Sequence, residues 1–184
     1  MSFPVELASR RLSGATLARR FPGATVVDVT SKGPAPWVRF SPFYPHGGVP
    51  VPGRPGEVGQ SVEGVWQGLK VFAAEGVDPT RWAVASTRGI KRGGKARGPV
   101  RGHDVGGTLV DYAAARRLVY LPSYLWVLTH NLAAEVAELR TLAVAGPVVL
   151  LDYETNRDVA DLSKPLSHAA LVRYHLAGTW PGMS

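Results

Sequence analysis

Short apolar bursts separated by glycine- and proline-rich runs dominate this chain, and their spacing predicts helices and strands in irregular alternation. Leu7 to Arg20 carries a short helical pattern, interrupted at Gly14. Ala24-Thr25-Val26-Val27-Asp28-Val29 is β-branched and predicts a buried strand, and Pro36 to Phe40 alternates as a second. Ser61 is placed to cap a helix from Val62 to Glu75, with Val62, Val65, Leu69 and Phe72 as its core stripe. Ala83 to Ala85 predicts another short strand. Pro122 suits the first turn of a long helix from Ser123 to Ala143, along which Leu125, Val127, Leu128, Leu132, Val136, Leu139 and Leu142 form an apolar stripe. Pro147 to Leu151 is a continuous apolar strand, and Ser167 precedes a last helix from His168 to Leu176. No internal repeat or dividing linker breaks the pattern. It predicts a single domain, 1–184, of α+β class, mainly helical with a few short strands.

Between the second expected strand and the Val62 helix lies the loop Pro42 to Pro55, with five prolines and three glycines. Such a loop is conformationally restricted rather than floppy. It carries Phe43, Tyr44 and His46, and is preceded by Arg39 and Ser41. The functional expectation is that one ring stacks on a planar ligand group while Arg39 and His46 hydrogen-bond to it; the alternative is a plug for the core. In the helix that follows, Glu63, Trp66, Gln67 and Lys70 fall at i, i+3, i+4 and i+7, one face apart from the core stripe. A large aromatic between charged neighbours is out of place on a wet face, so a ligand-facing stripe stands beside a solvated one as an equal reading. Gly64 and Gly68 fall on a third side, where a neighbouring backbone can approach.

Composition narrows the chemistry. Cysteine is absent, which excludes disulfides, thiolate catalysis and cysteine-based metal sites. No apolar run approaches the ~18 residues of a membrane span, and the N-terminus lacks the layout of a signal peptide, so the expectation is a cytoplasmic protein with no membrane partner. The formal net charge is +7, concentrated in Arg81, Arg88, Lys91, Arg92, Lys95, Arg97 and Arg101 with no acidic residue among them. Such a block attracts phosphate, or simply keeps a loop solvated. His46, His103 and His168 show no metal-ligand spacing, Ser167-His168 has no nucleophile-elbow context, and Gly89 to Lys95 is not a P-loop. No metal or cofactor is expected.

Phe43-Tyr44-Pro45 followed by Glu63-x-x-Trp66-Gln67-x-x-Lys70 resembles the NADAR family, linked to NAD and ADP-ribose, whose members carry a Phe-Tyr-Pro-type loop and a Glu-x-x-Tyr-Gln-x-x-Lys helix. The likeness covers residues 39 to 101, with Trp66 in place of the tyrosine. Lys91 to Gly98 is a loose counterpart of the family's Ala-Lys-x-x-Gly-Arg segment. The carboxyl-terminal part, with Asn156 and then Leu166 to Val172, departs from the family pattern.

The resemblance implies an N-glycosidase that cleaves between a base or amine and ribose C1′, in a phosphorylated N-riboside or an ADP-ribosyl adduct. It makes Lys70 the key residue, attacking the anomeric carbon or holding the leaving group. Glu63 then orients a ribose hydroxyl or activates water, Trp66 and Tyr44 hold base or ribose, and Ser41, Phe43, Gln67 and Asn156 are further substrate-binding candidates. Lys91, Arg92 or Lys95 takes a phosphate. Asp152, at a strand's carboxyl end beside Asn156, is a second candidate acid or ribose anchor; its alternative is a turn and capping role. The rival function is a non-catalytic nucleotide or nucleic-acid binder working through the basic block and exposed aromatics. A third is an assembly protein whose aromatic loop is a partner interface. Oligomeric state is not legible.

Overall fold

Val148–Asp152, the most apolar run of the carboxyl-terminal part, is a strand (β8) buried along its whole length, and one part of the fold is built around it. The computed structural model describes residues 4–182. The chain divides into two compact units, one made of Met1–Ser41 with Leu132–Ser184, the other of the continuous run Pro42–Asn131. Both mix helices and strands, so the class is α+β.

In the first unit, β8 lies between two parallel strands, β1 (Val5–Ser9) and β2 (Thr25–Asp28), in the order β1-β8-β2. Paired along both edges and buried on both faces, β8 has no polar side, which is why Val148 to Leu151 reads as an unbroken apolar run. The helical pattern expected over Leu7 to Arg20 is therefore split. Its first part is claimed by pairing with β8, and the helix α1 (Gly14–Arg20) begins only where Ser13 accepts from the Thr16 amide. Leu17 of α1 packs with Ala8, Val149 and Leu151, backed by Leu12, Phe21 and Ala24. The strand expected at Pro36 to Phe40 is instead a 3₁₀ turn, Trp37–Phe40, closed by Val38 N–H to Pro34 and Arg39 N–H to Pro36. Proline at 34 and 36 favours a turn over a ladder.

The second unit holds α2 (Val62–Leu69) and an antiparallel sheet of β5 (Lys70–Phe72), β6 (Val100–Val105) and β7 (Thr108–Val110). The loop from Pro42 pairs only briefly, β3 (Val49–Pro50) with β4 (Val58–Gly59). The helix expected to run to Glu75 stops at Leu69, and Lys70 is already extended. No strand forms at Ala83 to Ala85. The β6–β7 hairpin turns on Gly106 and Gly107, both with positive φ, as a two-residue hairpin loop demands.

A short helix α3 (Tyr112–Ala115), a π-helical turn at Arg116–Tyr120 and α4 (Leu121–His130) complete this unit. The long helix expected over Ser123 to Ala143 is thus two helices. It breaks at Asn131 and Leu132, and α5 (Ala133–Ala145) belongs to the first unit. The last helix, α6 (His168–Ala177), is capped by the Ser167 hydroxyl and ended by Gly178 in the left-handed region. Among the described residues no helix is long and apolar enough to cross a membrane.

Candidate functional site

Helix α2 is anchored before it presents anything. The Ser61 hydroxyl accepts from the Gly64 amide, and Val62, Val65 and Leu69 are buried. The backbone approach expected at the two glycines is present at Gly64, whereas at Gly68 the close neighbour is the Trp82 side chain. A Cβ on Gly68 would sit 2.0 Å from the Trp82 indole nitrogen, and one on Gly64 would sit 2.8 Å from the Arg81 carbonyl. Seated this deeply, the helix turns its polar face inward, and Glu63 and Gln67 are buried at 9% and 5% exposure.

These side chains form a relay. Gln67 Nε2 donates to Glu63 Oε1 at 2.8 Å, and Lys70 Nζ donates to Gln67 Oε1 at 3.2 Å. Although Lys70 has left the helix, the i+3 reach from Gln67 keeps it beside the helical pair. Burial raises the Glu63 pKa, outweighing the Gln67 hydrogen bond and the charges of Lys91 and Lys70. Burial lowers Lys70, helped by the Arg92 and Lys91 charges and opposed by Glu63. The result is a carboxyl that keeps its proton longer than usual and an amine that sheds one sooner.

Arg92 explains why α2 stops where it does. Its guanidinium donates to the carbonyls of Gln67 at 3.0 Å, Lys70 at 2.6 Å and Gly76 at 2.7 Å, and pairs with Glu75 at 3.0 Å. Its backbone amide donates to Gln67 Oε1. The last carbonyls of a helix lack partners, and a buried guanidinium satisfies them here. Arg92 is therefore a clamp on the site's frame, and not the phosphate contact expected of it. Lys91, beside it, is exposed and sits 5.3 Å from the Phe43 ring centre; Tyr44 and His46 pack at 4.8 Å.

Across the sheet, Lys70 pairs in register with His103. Trp66 lies on the His103 ring at 3.9 Å and meets Tyr112 and Tyr120 edge-on at 5.8 and 5.9 Å. Trp66, Lys70, Arg101, His103, Asp111 and Tyr112 line a cleft of about 340 Å³. Tyr112 is steadied by Arg116, which donates to its hydroxyl at 3.1 Å and lies over its ring. His103 is 1% exposed, and burial together with the Lys70 charge lowers its pKa to about 3, so the ring is neutral.

The other expected residues lie in the first unit and serve its architecture. Asp152, 4% exposed, accepts from Ser167 Oγ at 2.7 Å and the Tyr153 amide at 2.7 Å, and pairs with His168 Nδ1 at 2.9 Å. It anchors α6 to the end of β8, the structural one of its two expected roles. Asn156 spends its amide on the carbonyls of Asp161 and Lys164 and its oxygen on the Asp158 amide, holding one loop together. Arg39 pairs with Glu135, and Ser41 is buried with its amide on the Val38 carbonyl.

A family model described as a family of unknown function, DUF6939, matches residues 9–172. The chain belongs to this family. Among curated proteins no match was found. The matched span of DUF6939 takes in the whole of the Glu63–Gln67–Lys70 relay, the cleft and the Asp152–His168 anchor. Sequence reasoning missed His103, Arg101 and Tyr112 as cleft residues. The Gly106-Gly107 hairpin signal would have placed the first two on a strand, but not opposite Lys70.

Proposed function

We propose that the protein is an N-glycosidase that cleaves between a base or amine and ribose C1′ in a phosphorylated N-riboside or an ADP-ribosyl adduct, with Lys70 as nucleophile. The observation that carries this reading is a lysine amine partly withdrawn from water at the wall of an aromatic cleft, joined through Gln67 to a buried carboxyl. The resemblance of the Phe43-Tyr44-Pro45 loop and the Glu63 to Lys70 motif to the NADAR family supports it.

In this scheme neutral Nζ attacks C1′, and the C1′–N bond breaks with its electron pair leaving on the base. The proton shed by the attacking nitrogen ends on that base. Ring opening, with the Glu63 carboxyl giving its proton to O4′, leaves a protonated imine at Lys70. The Glu63 carboxylate then takes a proton from the water that hydrolyses the imine, releasing the ribose with its phosphate and restoring both the amine and the protonated carboxyl. A phosphorylated substrate does not cross membranes freely, so the reading includes a cytoplasmic location.

The product supplies the test. Ribose 5-phosphate presents an aldehyde in its open form, and cyanoborohydride reduces any imine it forms. Peptide mapping after such trapping is expected to find the adduct on Lys70 well ahead of Lys32, Lys91, Lys95 and Lys164, the other lysines of the chain. Lys70→Arg, with its fold checked by circular dichroism, abolishes it. Labelling that follows exposure alone, with Lys70 no more reactive than the rest, overturns the reading.

A further inference from the structure

The side chain of His103 is buried, neutral and unpartnered. Neither ring nitrogen has a hydrogen-bond partner, although almost none of the residue's surface is exposed. Leaving a buried donor and acceptor unmade is costly, and a ring with both nitrogens unmade calls for an explanation. A neutral imidazole offers one N–H and one lone pair. The ring belongs to the wall of the cleft that also holds Lys70, and the strand register sets the two residues directly opposite on one face of the sheet.

We infer that His103 reads the polar edge of the ligand's base, making with it the hydrogen bond that the fold leaves open. This rests on the N-glycosidase reading, which requires a base beside the carbon attacked by Lys70. Trp66 covers the imidazole at 3.9 Å and is itself half-buried at the cleft wall, so a tilt of the indole brings the ring edge to the ligand. Tyr112, an exposed residue of the cleft wall fixed through Arg116, supplies the flat surface on which a heterocycle stacks. A cleft of about 340 Å³ suits a ligand near the size of a nucleoside monophosphate. His103 thus sets specificity, and Lys70 does the chemistry.

The experiment titrates the full-length protein with GMP, AMP, CMP and UMP, and with ribose 5-phosphate as the base-free control. Affinities are followed by calorimetry, and the ring nitrogens of His103 by two-bond proton–nitrogen correlation spectra. The expected result is that at least one nucleotide binds more tightly than ribose 5-phosphate and moves the His103 nitrogen signals. In His103→Phe, which keeps an aromatic ring against Trp66, that advantage shrinks about tenfold, the scale of one lost hydrogen bond.

His103→Gln, which retains a donor and an acceptor, restores part of it. The idea is overturned if no nucleotide binds better than ribose 5-phosphate, if the signals stay still at saturation, or if His103→Phe keeps the full advantage. The spectra are read on the unsubstituted protein, so a misfolded variant does not blunt the test. Failure of imine trapping at Lys70 is read separately and bears on the glycosidase reading alone.

Discussion

At the scale of single residues, the fold holds Glu63 and Lys70 at a thermodynamic disadvantage. The folded Lys70 has a lowered pKa, so over the range between its folded and unfolded values the unfolded chain binds more protons, and stability rises with pH. Lys70→Met removes that penalty and keeps most of the apolar stem. The expected outcome at neutral pH is a small rise in melting temperature, no more than about 2 °C because the group is only partly buried and solvent screens it. Imine trapping is lost in the same variant. Thermal denaturation of both proteins from neutral to alkaline pH checks the sign: the gain shrinks as pH rises and the native amine loses its handicap. A variant less stable than the parent at neutral pH would mean that Lys70 is a structural partner of Glu63 rather than a strained nucleophile.

At the scale of elements, the docking of α6 on β8 is an ion pair with a pH window. Burial alone would raise Asp152, but the charge and hydrogen bond of His168, with those of Ser167 and the Ala169 amide, hold it below its ordinary value. Burial alone would lower His168, but the Asp152 carboxylate and the Val29 carbonyl, 2.9 Å from Nε2, hold it above. The signs follow separately. Asp152 contributes stability that is present above the ordinary carboxylate range and lost as pH falls through its depressed folded value. The contribution of His168 is complete below its ordinary value and lost as pH rises through its raised folded one. Urea denaturation across pH is expected to show a plateau between the two, falling on both sides. His168→Leu leaves a buried carboxylate unpaired and costs about 3 kcal/mol or more at the plateau, and it flattens the alkaline limb. A wild-type curve that stays level as His168 deprotonates would show that the pair is neutral in the fold.

At the scale of the whole molecule, what the sequence disclosed was local and what it hid was long-range. Ser61 and Ser167 were legible as caps because a cap depends on the next three residues, and Val148 to Leu151 because burial on both faces leaves an unbroken apolar run. The break at Asn131 was not, since apolar spacing runs on through Leu132 into the other unit. Within the site, Glu63, Gln67 and Lys70 were found from their spacing, although Lys70 proved to be a strand residue. His103 became visible only through the pairing of β5 with β6.

The basic block shows the same limit. Its seven cations read as one surface, yet Arg81 is paired with Asp78, Arg97 with Glu75, and Arg92 is internal. Arg88, Lys91, Lys95 and Arg101 remain exposed. A single-stranded oligonucleotide that binds here therefore contacts about four phosphates, and the logarithm of its affinity falls against the logarithm of salt with a slope near about −3. Fluorescence anisotropy across a salt series measures that slope, and Lys91→Ala with Lys95→Ala is expected to halve it. A slope near about −5 would require the paired arginines to leave their carboxylates, and would favour the nucleic-acid-binding alternative over an enzyme that uses a few cations to hold one phosphorylated ligand.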